Sequence, residues 1–291
     1  MPTITLLIGL PASGKSTYAR RYLSTPIVSS DALRAELYGD ENDQRHNREV
    51  FQVLHARVQM ALAHGEDVVV DATNLTMKSR RPLLDMARRY HATAKAIIMA
   101  TPFHNVLEWN EKRERHVPVE VLYACRARFQ MPCESEGFRS IEMVSAALPT
   151  TPLCYPVEPF NQMNPHHHDT LQTHIDRVCA FVKQKAFYDP TIPPAHYNAL
   201  LRAAQWHDIG KPLTQIFDDA GVAHYYGHAS VGAYEHLSAY HDLLVAQLIC
   251  YHMEPFQLTE EKGVKRFGAE LWHLLQLLHE ADVETTKKEE P

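Results

Sequence analysis

At 291 residues, with 45% hydrophobic and 22% charged residues and a formal net charge of −6, the chain has the make-up of a folded protein long enough for two domains. That balance excludes a disordered or coiled-coil chain and a basic coat for nucleic acid, and the one apolar run near the start, residues 4–10, is too short to span a bilayer. The five cysteines (Cys125, Cys133, Cys154, Cys179 and Cys250) are odd in number and form no C-x-x-C pair, which argues against a disulfide framework or zinc ribbon and suits a reducing cytoplasm.

Strand-like segments at residues 3–8, 26–29, 67–71 and 94–100 alternate with helix-like ones, which predicts a parallel sheet flanked by helices over residues 1–148. After the first strand, Gly9-Leu-Pro-Ala-Ser13-Gly14-Lys15-Ser16-Thr17 fits G-x-x-x-x-G-K-[ST], with a helix-forming stretch behind it. Backbone N–H groups of such a loop face a β-phosphate, Lys15 reaches the β and γ oxygens, and Ser16 can ligate Mg²⁺, so ATP is the expected ligand. The alternative is a glycine-rich turn without a ligand.

After the second strand comes Ser29-Ser30-Asp31-Ala-Leu-Arg34, at the sheet edge where ligands of open α/β folds collect. Asp31 can take the proton of an attacking hydroxyl and Arg34 can hold a neighbouring phosphate, or Asp31 caps the helix and Arg34 is solvated. The third strand ends in Asp71-Ala-Thr73-Asn74, with Arg80 and Arg81 on the helix that follows. Residues 110–116 place Lys112, Arg113, Arg115 and His116 before Pro118, as a lid would, although a solvated helix end has the same look.

Prolines 149, 152, 156, 159 and 165 predict a linker over 149–164. Beyond it, helical spacing at 170–187, 195–207, 229–250 and 269–281 predicts an all-helical domain over 165–291. Charge and histidine shift with the boundary: residues 1–148 hold 19 Lys and Arg against 17 Asp and Glu, residues 149–291 hold 10 against 18, and 13 of the 19 histidines lie in the second part. His207-Asp208 ends a helical stretch before Gly210-Lys211-Pro212, and adjacent imidazole and carboxylate can converge on a cation. The tract His166–His168 is expected to start a helix, Gly227 argues against one helix joining His224 to His228, and His236, His241, His273 and His279 are expected in core or surface roles.

Across residues 3–140 the loop, the S-D-x-x-R run, the D-x-T-N strand end, the N-x-x-R run before Val117-Pro118, and Glu136-Gly137-Phe138 resemble the phage-type 5′-hydroxyl polynucleotide kinases. That resemblance implies that Gly9, Ser13, Gly14, Lys15, Ser16 and Thr17 serve ATP and Mg²⁺, with Asp31 as general base. It further implies that Arg34 holds the acceptor's 3′-side phosphate and that Arg113 is the lid arginine. The family's second lid arginine is Trp109 here, with Arg115 as a replacement.

Residues 164–284 give the order His174, His207-Asp208, His228, His252, Asp282, which resembles the ligand series of the HD-superfamily phosphohydrolases. That likeness implies one metal on His174, His207, Asp208 and Asp282 and a second helped by His228 and His252, with Asp208 bridging and Lys211 on the phosphate. The ligand types suit Mn, Fe, Ni, Co or Zn.

The pairing is similar to the HD-containing polynucleotide kinases and implies end healing of RNA or DNA in partnership with a ligase, by a cytoplasmic enzyme without a membrane. Two further readings stand beside it: a metabolite or nucleoside kinase joined to a nucleotidase or cyclic-nucleotide phosphodiesterase, and a nucleotide-gated binding module whose second half is degenerate.

Overall fold

A computed structural model describes residues 1–145, 147, 157, 159–164, 169–187, 189–190 and 192–286. The chain divides into two units: Met1–Cys125 with Pro132–Leu148, and Arg126–Met131 with Pro149–Pro291.

Unit 1 runs β1 (Thr3–Ile8), α1 (Lys15–Tyr22), β2 (Ile27–Ser29), α2 (Ser30–Tyr38), α3 (Asn47–Ala63), β3 (Val68–Asp71), α4 (Met77–Arg89), β4 (Thr93–Met99), α5 (Phe103–Lys112), most of α6 (Val119–Ala127) and β5 (Ser140–Val144). All five strands pair in parallel in the order β2-β3-β1-β4-β5. The chain leaves central β1 for the edge at β2 and returns through β3, so the carboxyl ends of β1, β2 and β3 open onto one crevice. Every residue of β3 is buried, as a strand covered on both faces requires, and Leu7, Val69 and Ile97 on the three middle strands pack against Ala19 of α1. The fifth strand was not expected from the sequence. Its Ser-Ile-Glu-Met-Val is half-buried at the edge and too mixed in polarity to announce itself.

Unit 2 runs α7 (Leu171–Phe187), α8 (Pro194–Trp206), α9 (Lys211–Thr214), β6 (Ile216–Phe217), β7 (Ala223–His224), α10 (His228–Tyr240), α11 (Leu243–Tyr251), α12 (Glu260–Phe267) and α13 (Ala269–Thr286). Its helices pack through Leu200, Val231, Leu237, Leu248, Leu275 and Leu278, all buried. Two expectations are corrected. The domain is not all-helical, because Asp218 accepts from the backbone N–H groups of Ala220 and Val222 and folds residues 216–224 into a short antiparallel hairpin. Nor is 229–250 one helix: His241 turns left-handed (φ 52°), and the Asp242 side chain caps a new helix by accepting from Val245 N–H.

The proline-rich segment and His166–His168 lie largely outside the described residues. Of the run expected as linker, Gln162 is fully buried in unit 2, and Asn161 bridges to Thr170. Phe129 and Met131 also belong to unit 2, where their carbonyls accept from Cys250 Sγ and the Tyr251 hydroxyl. No helix among the described residues is long and apolar enough to cross a membrane, and Cys125, Cys133, Cys179 and Cys250 are buried and form no disulfide among the described residues.

Candidate functional site

In unit 1 the loop Gly9–Gly14 joins the end of β1 to α1. Gly14 sits at φ 91° as the N-cap and has no side chain to bond the helix's first turn, which carries no acid, so the N–H groups there are placed to take an anion. Thr101 steadies the loop by donating to the Ser13 carbonyl over 2.9 Å. Lys15 is buried, its Nζ donating to the carbonyls of Gly9 and Leu10, and burial pushes its pKa down to about 8. The Arg113 charge, close enough to act on Lys15, pushes the same way. Ser16 Oγ donates to Asp71 Oδ2 at the end of β3, over 2.6 Å. A hydroxyl and a carboxylate side by side at the start of the loop helix form an oxygen donor set of the kind Mg²⁺ takes beside bound phosphates, so Ser16 and Asp71 fit that ion.

The first turn of α2 brings Asp31 and Arg34 together. The N-cap is Ser29, whose hydroxyl accepts from Ala32 N–H over 3.5 Å, so Asp31 is not the residue that closes the helix end. Arg34 Nη1 donates to Asp31 Oδ1 over 2.7 Å, and Arg115 Nη1 donates to Asp31 Oδ2 over 2.7 Å. Both oxygens are therefore engaged, and the second guanidinium is that of Arg115, while Arg113 acts on Lys15. Arg34 Nη2 donates to Asn47 Oδ1 over 2.6 Å, and Arg34 itself is buried.

In unit 2 the turn after α8 carries His207 and Asp208. Gly210 is needed there, because a Cβ would lie 2.1 Å from the His228 carbonyl oxygen at the start of α10. Five ligand-type side chains converge on the buried Asp208. Around Oδ2 stand His174 Nε2 at 3.5 Å and His207 Nε2 at 3.4 Å, and around Oδ1 stand His228 Nε2 at 3.3 Å and His252 Nε2 at 3.9 Å. Asp282 Oδ1 joins the first pair, 3.2 Å from His174 and 4.0 Å from His207. The two imidazole pairs are themselves close, with His174 to His207 at 3.2 Å and His228 to His252 at 3.4 Å between Nε2 atoms.

The tautomers test whether cations fit. His207, His228 and His252 place Nδ1 at 2.9, 2.9 and 2.8 Å from the carbonyl oxygens of Ala204, Tyr225 and Ile249. A carbonyl only accepts, so Nδ1 carries the proton and, in each neutral ring, Nε2 presents a lone pair. At His228 and His252 the two lone pairs would face each other at such range beside a buried carboxylate, a repulsion that a cation among them relieves, and ligands about 2.0–2.1 Å from one ion stand about 3 Å apart. The residues fit two divalent ions sharing Asp208: His174, His207 and Asp208, with Asp282 beside them, and Asp208, His228 and His252.

Burial opposes charging Asp208, but Lys211 and His207 beside it hold its carboxyl well below the ordinary range. Burial also opposes charging Asp282, which His174 nonetheless draws down to about 2. His252 is held down to about 3 by burial and then by its histidine neighbours, which keeps it a neutral donor.

The sequence reading missed the groups that hold these side chains. Asp71 was seen only as a polar strand end. Lys211 Nζ contacts Asp208 Oδ2 at 2.6 Å, donates to Gln162 Oε1 over 2.8 Å, and lies 5.6 Å from the centre of the Tyr225 ring. The Tyr225 hydroxyl donates to the Gln162 carbonyl. Lys211 was expected on the phosphate, but no spacing rule links it to residues 162 and 225, so only the fold reveals what holds it.

Residues 4–132 match the family model described as an AAA domain. The chain is 28% identical over 149 residues to the bifunctional polynucleotide phosphatase/kinase of Schizosaccharomyces pombe, covering 48% of this chain and 33% of that protein. It is 25% identical over 138 residues to the L-seryl-tRNA(Sec) kinase of Methanococcus maripaludis, covering 44% of this chain and 53% of that one. The chain thus spans a third to about half the length of these curated relatives. Among solved structures, a chain of the Pnkp1/Rnl/Hen1 RNA repair complex matches with TM-score 0.40 and 24% identity, covering 44% of this chain and 43% of that one. Chaetomium thermophilum Kti12 with ADP-AlF3 matches with TM-score 0.41 and 18% identity, covering 49% and 89%. Unit 1 carries a P-loop kinase fold, with relatives named as kinases.

Proposed function

We propose that the chain mends nucleic-acid ends with two sites. Unit 1 passes the γ-phosphoryl group of ATP to a terminal 5′-hydroxyl, and unit 2 is an HD-type phosphohydrolase that removes a 3′-phosphate or opens a 2′,3′-cyclic phosphate, leaving ends fit for a ligase. The observation that carries the two-site reading is Asp208, each of whose oxygens faces its own histidine pair, in a chain that also holds a P-loop.

In unit 1, Lys15 leaves the Gly9 and Leu10 carbonyls for the β and γ oxygens, and Arg113 approaches the transferring group. Ser16, held by Asp71, faces the nucleotide's Mg²⁺. Asp31 takes the proton of the attacking hydroxyl on a lone pair that its two arginine contacts leave open. Arg34 binds the phosphate on the 3′ side. Little bond-making falls to the protein in such a transfer, so placement and charge neutralisation carry the rate.

In unit 2, divalent ions on the two ligand sets would lower the pKa of bound water and neutralise phosphoryl oxygens. Asp208 holds both sets in register, the Nδ1–H bonds to backbone carbonyls fix the rings, and Lys211, kept in place by Gln162, offers its charge to the phosphate.

The test is one oligonucleotide bearing a 5′-hydroxyl and a 2′,3′-cyclic phosphate, incubated with ATP, Mg²⁺ and Mn²⁺ while both ends are followed. Both ends should change. Transfer to free nucleosides with neither oligonucleotide end altered would sink the proposal and favour a small-molecule kinase joined to a nucleotidase. The similarity to a protein named as an L-seryl-tRNA(Sec) kinase favours one narrower alternative, the seryl hydroxyl of an aminoacylated tRNA, which seryl-tRNA offered as a competing acceptor exposes.

A further inference from the structure

Asp31, Arg34 and Tyr38 lie at i, i+3 and i+7 along α2 and so share one face. At about 1.5 Å of rise per residue, Arg34 stands about 4.5 Å and Tyr38 about 10 Å along the axis from Asp31. The face therefore presents, in order, a carboxylate, a buried guanidinium and an aromatic ring.

The ring is not alone. Tyr38 stacks on His46 with centroids 4.1 Å apart and planes 12° from parallel. His46 is the residue before Asn47, the partner of Arg34 Nη2, so the loop that steadies the guanidinium also supplies the second ring. His46 is itself oriented: its Nδ1 lies 3.1 Å from Asp43 Oδ2, and Asp43 is gripped by Arg45 Nη2 at 2.9 Å. Those two neighbours, Arg45 first, hold the Asp43 carboxyl well below its usual range and so keep the anchor charged. Both rings remain partly in water, Tyr38 at 36% exposure and the His46 side chain at 41%, beside an arginine whose Nε has no partner among the described residues. A fixed aromatic pair that is left wet, next to a phosphate-type cation, has the character of a stacking platform for a nucleobase, which any base can use through its π face.

We infer that Tyr38 and His46 seat the base of the acceptor's second nucleotide, so that unit 1 selects a strand over a lone nucleoside. This rests on the 5′-hydroxyl kinase reading above. With the terminal hydroxyl at Asp31 and the phosphate that follows it at Arg34, the next base falls to the next turn of α2. Single-stranded ends meet this demand directly, since their bases are free to stack.

The experiment compares two acceptors, a 5′-hydroxyl oligonucleotide and a nucleoside 3′-monophosphate, with wild type, Tyr38→Ala, His46→Ala and Tyr38→Phe. Either alanine variant should raise KM for the oligonucleotide roughly tenfold at unchanged kcat, with Tyr38→Phe close to wild type. The effect should be confined to acceptors with a second base, so an oligonucleotide abasic at that position should show the raised KM with wild type and no further loss with Tyr38→Ala. Equal losses on both acceptors, or none on either, would overturn the platform.

If wild type phosphorylates neither acceptor, the kinase reading fails by itself, and the platform is judged without turnover. An oligonucleotide with 2-aminopurine at its second position should lose fluorescence on binding wild type but not Tyr38→Ala. Absence of quenching with wild type overturns it. Thermal melting of each variant identifies one that has lost its fold, in which case Tyr38→Leu, of similar apolar bulk without a ring, replaces it and should raise KM as Tyr38→Ala does.

Discussion

On the reading proposed above, the two units handle phosphate in opposite ways. In unit 1 the cradle is made of main chain, one uninterrupted run from Gly9 to Ser16 whose N–H groups are aimed by a glycine at φ 91°. In unit 2 the site is made of side chains scattered from His174 to Asp282, with backbone carbonyls fixing the proton on the rings of His207, His228 and His252. A backbone site tolerates changes everywhere except at its few special residues, whereas a convergent side-chain site depends on every element that delivers a ligand.

The sharpest break of that comparison is a pair of substitutions. Lys15→Ala should lower phosphoryl transfer about a thousandfold and leave hydrolysis intact, and Asp208→Ala should do the reverse, because it removes the carboxylate common to both histidine pairs. Loss of both activities in Asp208→Ala, measured on the doubly modified oligonucleotide, would show that the sites are not independent. Metal content should separate the two as well, with Asp208→Ala retaining far less bound divalent ion than Lys15→Ala.

Next in size is a stability effect in unit 2. Arg126 Nη1 donates to Glu235 of α10, and both side chains are buried. Arg126→Ala leaves a carboxylate in the core without that partner and should cost about 3–5 kcal/mol in urea unfolding, whereas replacing both residues by leucine should cost much less. A second consequence is practical: a fragment beginning at Pro149 lacks Arg126, Phe129 and Met131, which belong to the same unit, and should be far less stable than the full chain.

A smaller effect is read against pH. Both nitrogens of His236 are buried without a hydrogen-bond partner, between the rings of Trp206 and Tyr240. Burial holds its pKa down to about 4 from an ordinary 6.5, with Asp242 and Arg202 pulling more weakly in opposite directions. The unfolded chain takes up this proton near pH 6.5 and the folded one only near pH 4. The contribution is thus complete above 6.5 and is lost as pH falls toward 4, by up to about 3 kcal/mol. His236→Phe should flatten that part of the stability profile. An unchanged slope would assign the acid sensitivity to other groups.

The smallest concerns Tyr225, whose hydroxyl bonds to the carbonyl of Gln162, the residue holding Lys211. Tyr225→Phe should cost about 1 kcal/mol and raise KM for the phosphate ester severalfold with little change in kcat.

What was legible in the sequence follows the same division. The first four strands and the loop were visible because apolar runs alternate with helix-like segments and the loop has its fixed spacing of glycines. The hairpin at 216–224 was not, because two residues per strand carry no periodicity and its turn depends on Asp218. The break at His241 was hidden because the apolar pattern continues across it, and only the left-handed residue and the Asp242 cap interrupt the helix. In the site, residue types and order singled out the histidines and aspartates, but which arginine sits on Asp31 was undecidable from 110–116. Arg113 and Arg115 differ there by two positions, and the turn after α5 carries Arg115 to Asp31 and Asn42.

That pair of guanidinium groups on Asp31 fixes the direction of a carboxylate whose side chain is still 43% exposed. An arriving strand therefore meets a base already aimed, and the phosphate it brings competes for the same two arginines.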